Sequence, residues 1–173
     1  MQMPEGCKKI GGKKRPLNVE FKILPEDDHI IAVLEDVLSE GGCAGIIMNT
    51  VKRAQEIART LSLHFGENCV ELLHSRFIAM DRAQKEKELL DRLGPDGERP
   101  ESVIVIGTQT FEQSCDLDFD VLISDICPMD LLIQRIGRLH RHERKQPRPV
   151  KLQQAVCFIT GMTESEFDRG AEL

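Results

Sequence analysis

Gln134, Arg135, Arg138 and Arg141 stand in LLIQRIGRLHRHERK, residues 131–145, a stretch with four arginines, two histidines, one lysine and a single acid, Glu143. Surface helices usually interleave Glu and Lys at i,i+4 spacing, where opposite charges support one another. This stretch does not, in a chain whose net charge is −6. The spacing predicts a helix over 129–142. At about 100° per residue, Gln134, Arg138 and Arg141 share one face, while Leu132, Ile136 and Leu139 form an apolar stripe on the other. Gly137 costs about 1 kcal/mol in a helix interior, which points to a close approach at that position. Two readings compete: a solvated charged face, or a row built for phosphate. The lack of Glu between Asp130 and Glu143 and the planar fork of arginine favour phosphate. Arg135 points to the side and reads as structural or interdomain.

Other candidate chemistry is weaker. Asp116, Asp118 and Asp120 alternate as calcium ligands do, but the sixth position of that loop is Val121 where Gly is needed, and the twelfth is Cys127 where Glu is needed. His140 and His142 lie two residues apart and point to different faces of a helix, so they would not chelate one metal. No metal site is expected. His74 reads more simply as a satisfied histidine at a strand end. The six cysteines show no C-x-x-C pair and are expected to be small buried hydrophobes in a reducing cytoplasm. No Ser-His-Asp or Cys-His arrangement stands out.

The elements that must position these residues follow an alternating pattern. Strand character runs through VEFKIL (19–24), AGIIMN (44–49), CVELLHS (69–75), SVIVIGT (102–108), DVLISD (120–125) and AVCFIT (155–160). Between them lie helical segments: one capped by Asp27 or Asp28 and ended by Gly41-Gly42, one capped by Thr50 and closed near Gly66, one over 78–93, and the basic helix. Alternation of this kind predicts an α/β fold with a mostly parallel sheet covered on both faces. Ligands of such sheets bind beyond the carboxyl ends of the strands, where Thr50, His74 to Arg76, Thr108 and Asp125 fall. Residues 1–16 read as a flexible basic lead-in, 17–162 as the folded domain, and 163–173 as an acidic tail or the start of a further region. The Lys- and Gly-rich opening and the ending GAEL are expected to mark an excerpt from a longer protein.

Composition narrows the function. The chain has no Trp or Tyr and seven Phe, which disfavours reading of bases by aromatic stacking. Two basic zones, 1–25 and 134–151, in an acidic chain suit a local phosphate site better than general adhesion to nucleic acid. No apolar run is long enough for a membrane helix and no signal-peptide pattern opens the chain, so a cytoplasmic protein is expected.

QRIGRLHRH (134–142) resembles motif VI of superfamily 2 helicases, GTQTFEQSCDLDFD (107–120) their motif V, and IIMNTVKRAQEIA (46–58) their motif IV. With LLHSRF (72–77), these are most similar to one branch, the CRISPR-associated helicase-nuclease of type I interference systems. The resemblance implies the second of two RecA-like domains, a three-layer α/β unit that faces a first domain across an ATP-binding cleft. It makes Arg138 and Arg141 arginine fingers and brings Gln134 to the same phosphates. It also gives Asp116 to the ATP ribose, and Thr50, Arg76 and Thr108 to the nucleic-acid backbone. For Thr50 and Asp116 the residues alone allow a second role, as a helix cap and a loop cap. The phosphate loop and the magnesium-holding acids of the first domain have no counterpart here, so ATP's Mg2+ would be held by that absent domain. The implied partners are the first domain, single-stranded DNA and a guide-RNA surveillance complex. A stand-alone docking module for nucleic acid or a partner, and the equivalent domain of an RNA helicase, are the alternatives.

Overall fold

Continuous apolar runs become strands buried on both faces, because a sheet covered by helices leaves no wet side. The computed structural model describes residues 17–73, 79–109 and 116–161. The expectations for 1–16 and 163–173, for His74 and Arg76, and for 110–115 of the motif V stretch lie outside the described residues. Strands β1 (Val19–Leu24), β2 (Gly42–Ile47), β3 (Val70–Leu73), β4 (Ser102–Gly107), β5 (Val121–Asp125) and β6 (Ala155–Thr160) form one sheet. Its order is β1-β6-β5-β2-β4-β3, and every pairing is parallel. All residues of β2 and β5 are buried, as central strands require, whereas edge strand β1 exposes Glu20, Phe21 and Lys22.

Helices cover both faces. On one side, α1 (Asp28–Val37) and α2 (Val51–Phe65) bring Ile30, Leu34, Ala54, Ile57 and Leu61 against Ala44, Ile46, Ile104 and Ile123. On the other, α3 (Ala79–Leu93) and α4 (Met129–Ile136) bring Leu89, Leu93 and Leu132 against Ile47, Val103, Val105 and Leu122. Thr50 caps α2 as expected, its hydroxyl accepting from Arg53 N at 3.2 Å. Asp27 makes no cap on α1; its carboxylate takes the Arg53 guanidinium instead. Among the described residues no helix is long and apolar enough to cross a membrane.

The basic helix is shorter than its spacing implies. It ends at Ile136, with Gly137 at its C-cap, so Gln134, Arg138 and Arg141 do not share a helical face. Tertiary pairing overrides local preference: Phe119 N donates to Arg138 O at 2.8 Å, and His140 N donates to Phe119 O at 2.9 Å. His140 takes a left-handed backbone, φ 48°, to make the turn. Leu132 and Leu139 are buried as expected, but Leu139 arrives by this bridge and not by helical periodicity. What Gly137 crowds is its own turn, since a Cβ there would lie 3.2 Å from Gln134 O. The close approach lies elsewhere: a Cβ on Gly45 would sit 2.5 Å from the fully buried ring of Phe119.

The amino edge of the sheet is closed by a buried ionic cluster. Asp118 is 0% exposed and Asp120 1%. Asp118 accepts from Arg99 at 2.7 Å, Arg144 at 2.9 Å and Arg148 at 3.0 Å. Asp120 accepts from the Cys43 amide at 2.7 Å and also pairs with Arg144 and Arg148. Burial pulls the Arg148 pKa down from its usual value, and the Asp118 charge opposes that fall. Arg99, Arg144 and Arg148 thus find their anions inside the chain.

Two stability outcomes follow. Gly45→Ala overpacks Phe119 and is expected to cost about 1–3 kcal/mol, with much of it recovered in the Gly45→Ala/Phe119→Leu double variant. Urea unfolding of the four-member cycle checks this; additive losses would contradict it. Asp118→Ala leaves buried guanidinium groups without their carboxylate and is expected to cost about 3–5 kcal/mol, read as a fall in the urea midpoint at unchanged slope.

Candidate functional site

The residues singled out by type and spacing separate into two groups at opposite edges of the sheet. Asp116, Arg138 and Arg141 meet at the amino edge, just before β5. Thr50 and Thr108 follow the carboxyl ends of the neighbouring strands β2 and β4. The five residues of β5 span the gap, roughly 16 Å at about 3.3 Å per residue. Thr50, Thr108 and Asp125 thus lie at the carboxyl ends as expected, but Asp116, Arg138 and Arg141 lie at the other edge.

At the amino edge the Arg141 Nε donates to the Asp116 carboxylate, and its Nη1 donates to Gly137 O at 3.0 Å. The Arg141 main-chain N donates to Asp118 Oδ1 at 2.8 Å, so the buried cluster sets the position of the exposed pair. His142 Nε2 lies 3.2 Å from Asp116. The Asp116 and Arg141 side chains remain 45% and 33% exposed, which makes the pair worth about 0–1 kcal/mol and easily exchanged. Arg138 is 6% exposed, its carbonyl accepting from Phe119 N at 2.8 Å, while Gln134 is exposed on α4. His140 sits 3.0 Å from Asp120 O; burial, and then the Arg148 charge, push its pKa down to about 4, so it is neutral at neutral pH. An open cleft of about 760 Å³, lined in part by Ile133, Gly137, Arg141 and Gln154, runs beside this group.

At the carboxyl edge Ile47 stands opposite Gly107 in the register, and Met48 N donates to Gly107 O at 2.8 Å, which sets the two threonine-bearing segments side by side. Thr108 is 5% exposed. Asp125 organises the neighbourhood, accepting from Asn49 N, Arg53 Nε and Thr160 Oγ1, each at 2.8 Å. The Asp27 carboxylate hydrogen bond, above all, raises the Arg53 pKa. Arg135 is fully buried, with Nη2 donating to Asn49 Oδ1 at 3.0 Å and Nη1 to Ser124 Oγ at 2.9 Å, so its structural reading holds.

Asn49, Arg53, Arg99, Arg144 and Arg148 were not singled out from the sequence. In LDFDV (117–121) the alternation of acids with apolar residues reads as a half-exposed strand, so the burial of Asp118 and Asp120 left no local signal.

Residues 40–144 match the family model described as CRISPR-associated nuclease/helicase Cas3, C-terminal. A CRISPR-associated nuclease/helicase Cas3 of Streptococcus thermophilus is 49% identical over 166 residues, covering 95% of this chain and 18% of that protein. The structure of T. fusca Cas3-AMPPNP superposes with a TM-score of 0.78 at 33% identity, over 89% of this chain and 19% of that one. A chain of a CRISPR RNA-guided surveillance complex, pre-nicking, gives 0.73 at 32% identity, over 88% and 19%. The chain thus spans about a fifth or less of the length of these proteins. Family model, relatives and the all-parallel sheet agree: the chain belongs to the Cas3 nuclease/helicase family and matches its C-terminal, RecA-like helicase domain.

Proposed function

We propose that this domain is the second motor domain of an ATP-dependent DNA helicase acting in CRISPR interference, and that it completes an ATP site begun by a first RecA-like domain. The observation that carries this is the contact between Arg141 and Asp116, residues 25 apart in sequence brought together at the amino edge. Their pairing is weak enough to be exchanged. The ribose hydroxyls take Asp116, and the phosphates take Arg141. As the γ-phosphoryl transfers, negative charge spreads over its equatorial oxygens, and a fixed guanidinium stabilises it as it develops. In this reading Arg138 supports the same charge, and Gln134, exposed on α4, faces the phosphates. Any Mg2+ that neutralises phosphate charge in this reaction would be held by acids of the first domain. Here Asp118 and Asp120 are already engaged by arginines and offer no second site.

Thr50 and Thr108, with Arg76, grip the backbone of single-stranded DNA at the carboxyl edge without reading bases. DNA opened by a guide-RNA surveillance complex in the cytoplasm is the substrate this reading implies. A stand-alone docking module that uses the basic helix as its dock is less favoured, because Arg135 is fully buried and Arg138 is 6% exposed.

The domain alone is expected to fold yet show no ATP turnover. Joined on one polypeptide to its first RecA-like domain, it is expected to show ATPase stimulated by single-stranded DNA. Arg141→Ala should lower that turnover on the order of a thousandfold with the melting temperature retained. Unchanged turnover would remove Arg141 from the ATP site, and turnover by the isolated domain would overturn the shared-site reading.

A further inference from the structure

We propose that Asn49 is a positioning residue that couples the nucleotide edge to the nucleic-acid edge, an inference that rests on the motor reading above. Asn49 is exposed, yet its polar groups are committed inward. Its amide N donates to Asp125 Oδ2 at 2.8 Å and its Nδ2 to Ile126 O at 2.8 Å, while its Oδ1 accepts from Arg135 Nη2 at 3.0 Å. All three partners belong to the unit formed by β5, its following turn and α4. Arg135, fully buried, anchors the same unit through Ser124 Oγ at 2.9 Å and Asp125 O at 3.3 Å.

The two ends of this connection carry the two proposed ligands. Three residues after Arg135 stands Arg138, and Arg141 follows, at the nucleotide edge. One residue after Asn49 stands Thr50, which caps α2 at the DNA edge. A shift of α4 when the ATP site closes moves the Arg135 guanidinium, and the Asn49 side chain passes that shift to the turn holding Thr50. Burial fixes Arg135, so the short amide of Asn49 is the compliant link. Its chemistry is specific: the Arg135 contact needs an acceptor, and the Ile126 contact needs a donor. Asp at this position keeps the first and loses the second. Ala loses both while leaving the Asp125 contact to the main chain intact.

The test uses the polypeptide that joins this domain to its first RecA-like domain. The affinity for single-stranded DNA is measured with and without a non-hydrolysable ATP analogue, and the analogue's affinity with and without DNA; by linkage both ratios must agree. The wild type is expected to show coupling of about 5- to 150-fold. In Asn49→Ala that factor should fall to about 1, with each ligand's affinity in the absence of the other kept within about twofold and the melting temperature unchanged. Asn49→Asp, keeping the Arg135 acceptor, should restore most of the coupling. Full coupling in Asn49→Ala would overturn the proposal while leaving the motor reading intact. So would a parallel loss of both affinities and of the melting temperature, which is what a purely structural role gives. A wild type that binds both ligands without coupling would also overturn it. Failure to bind either ligand would remove the motor reading itself.

Discussion

The pairing of two buried aspartates with three arginines governs how this domain is put together. Asp118 and Asp120 have no access to water, so each must be matched or the segment cannot enter the fold. Arg99 comes from the approach to β4, Arg144 and Arg148 from the segment after α4, and the Cys43 amide from β2. The cluster therefore ties the amino ends of three adjoining strand segments to the chain that follows α4. Every residue at the nucleotide edge takes its position from it, since Arg141 N donates to Asp118 and Phe119 pairs with the 138–140 strip.

This arrangement divides the domain in two. The parallel sheet is a stiff plate buried on both faces, with exchangeable contacts at one end and a hydrogen-bonded scaffold at the other. At the amino edge the solvent-exposed ion pair of Asp116 and Arg141 is weak and replaceable. At the carboxyl edge Asp125 holds Asn49, Arg53 and Thr160 together, and Arg53 reaches on to Asp27. A motor needs that contrast: groups that change partners with the nucleotide, and a frame that keeps its shape while the strand is gripped.

Much of the fold was legible in the sequence because its signals are local. The runs VIVI (103–106) and VLI (121–123) are apolar throughout, as central parallel strands favour, and Thr50 advertises a cap by its type and place. The end of α4 was not legible. Helical periodicity continues smoothly through Arg138 and Arg141, and only the long-range bridge from Phe119 to Leu139 breaks it after Ile136. The ionic cluster was hidden for a related reason. Its arginines lie 19 to 30 residues from Asp118 or Asp120, beyond the reach of any local pattern. Spacing singled out Arg141 and the family resemblance Asp116, and the fold brings the two into contact; their place at the amino edge depended on topology.

The central claim is that nucleotide and nucleic acid act at opposite edges of one sheet. Hydrogen exchange on the two-domain polypeptide tests it most directly, with an ATP analogue and single-stranded DNA added separately. Slowed exchange at amides 138–142 and 116–120 with the nucleotide, and at 49–53 and 107–109 with DNA, is the predicted result. Protection of amides 107–109 by the nucleotide alone, or of 116–120 by DNA alone, would contradict it.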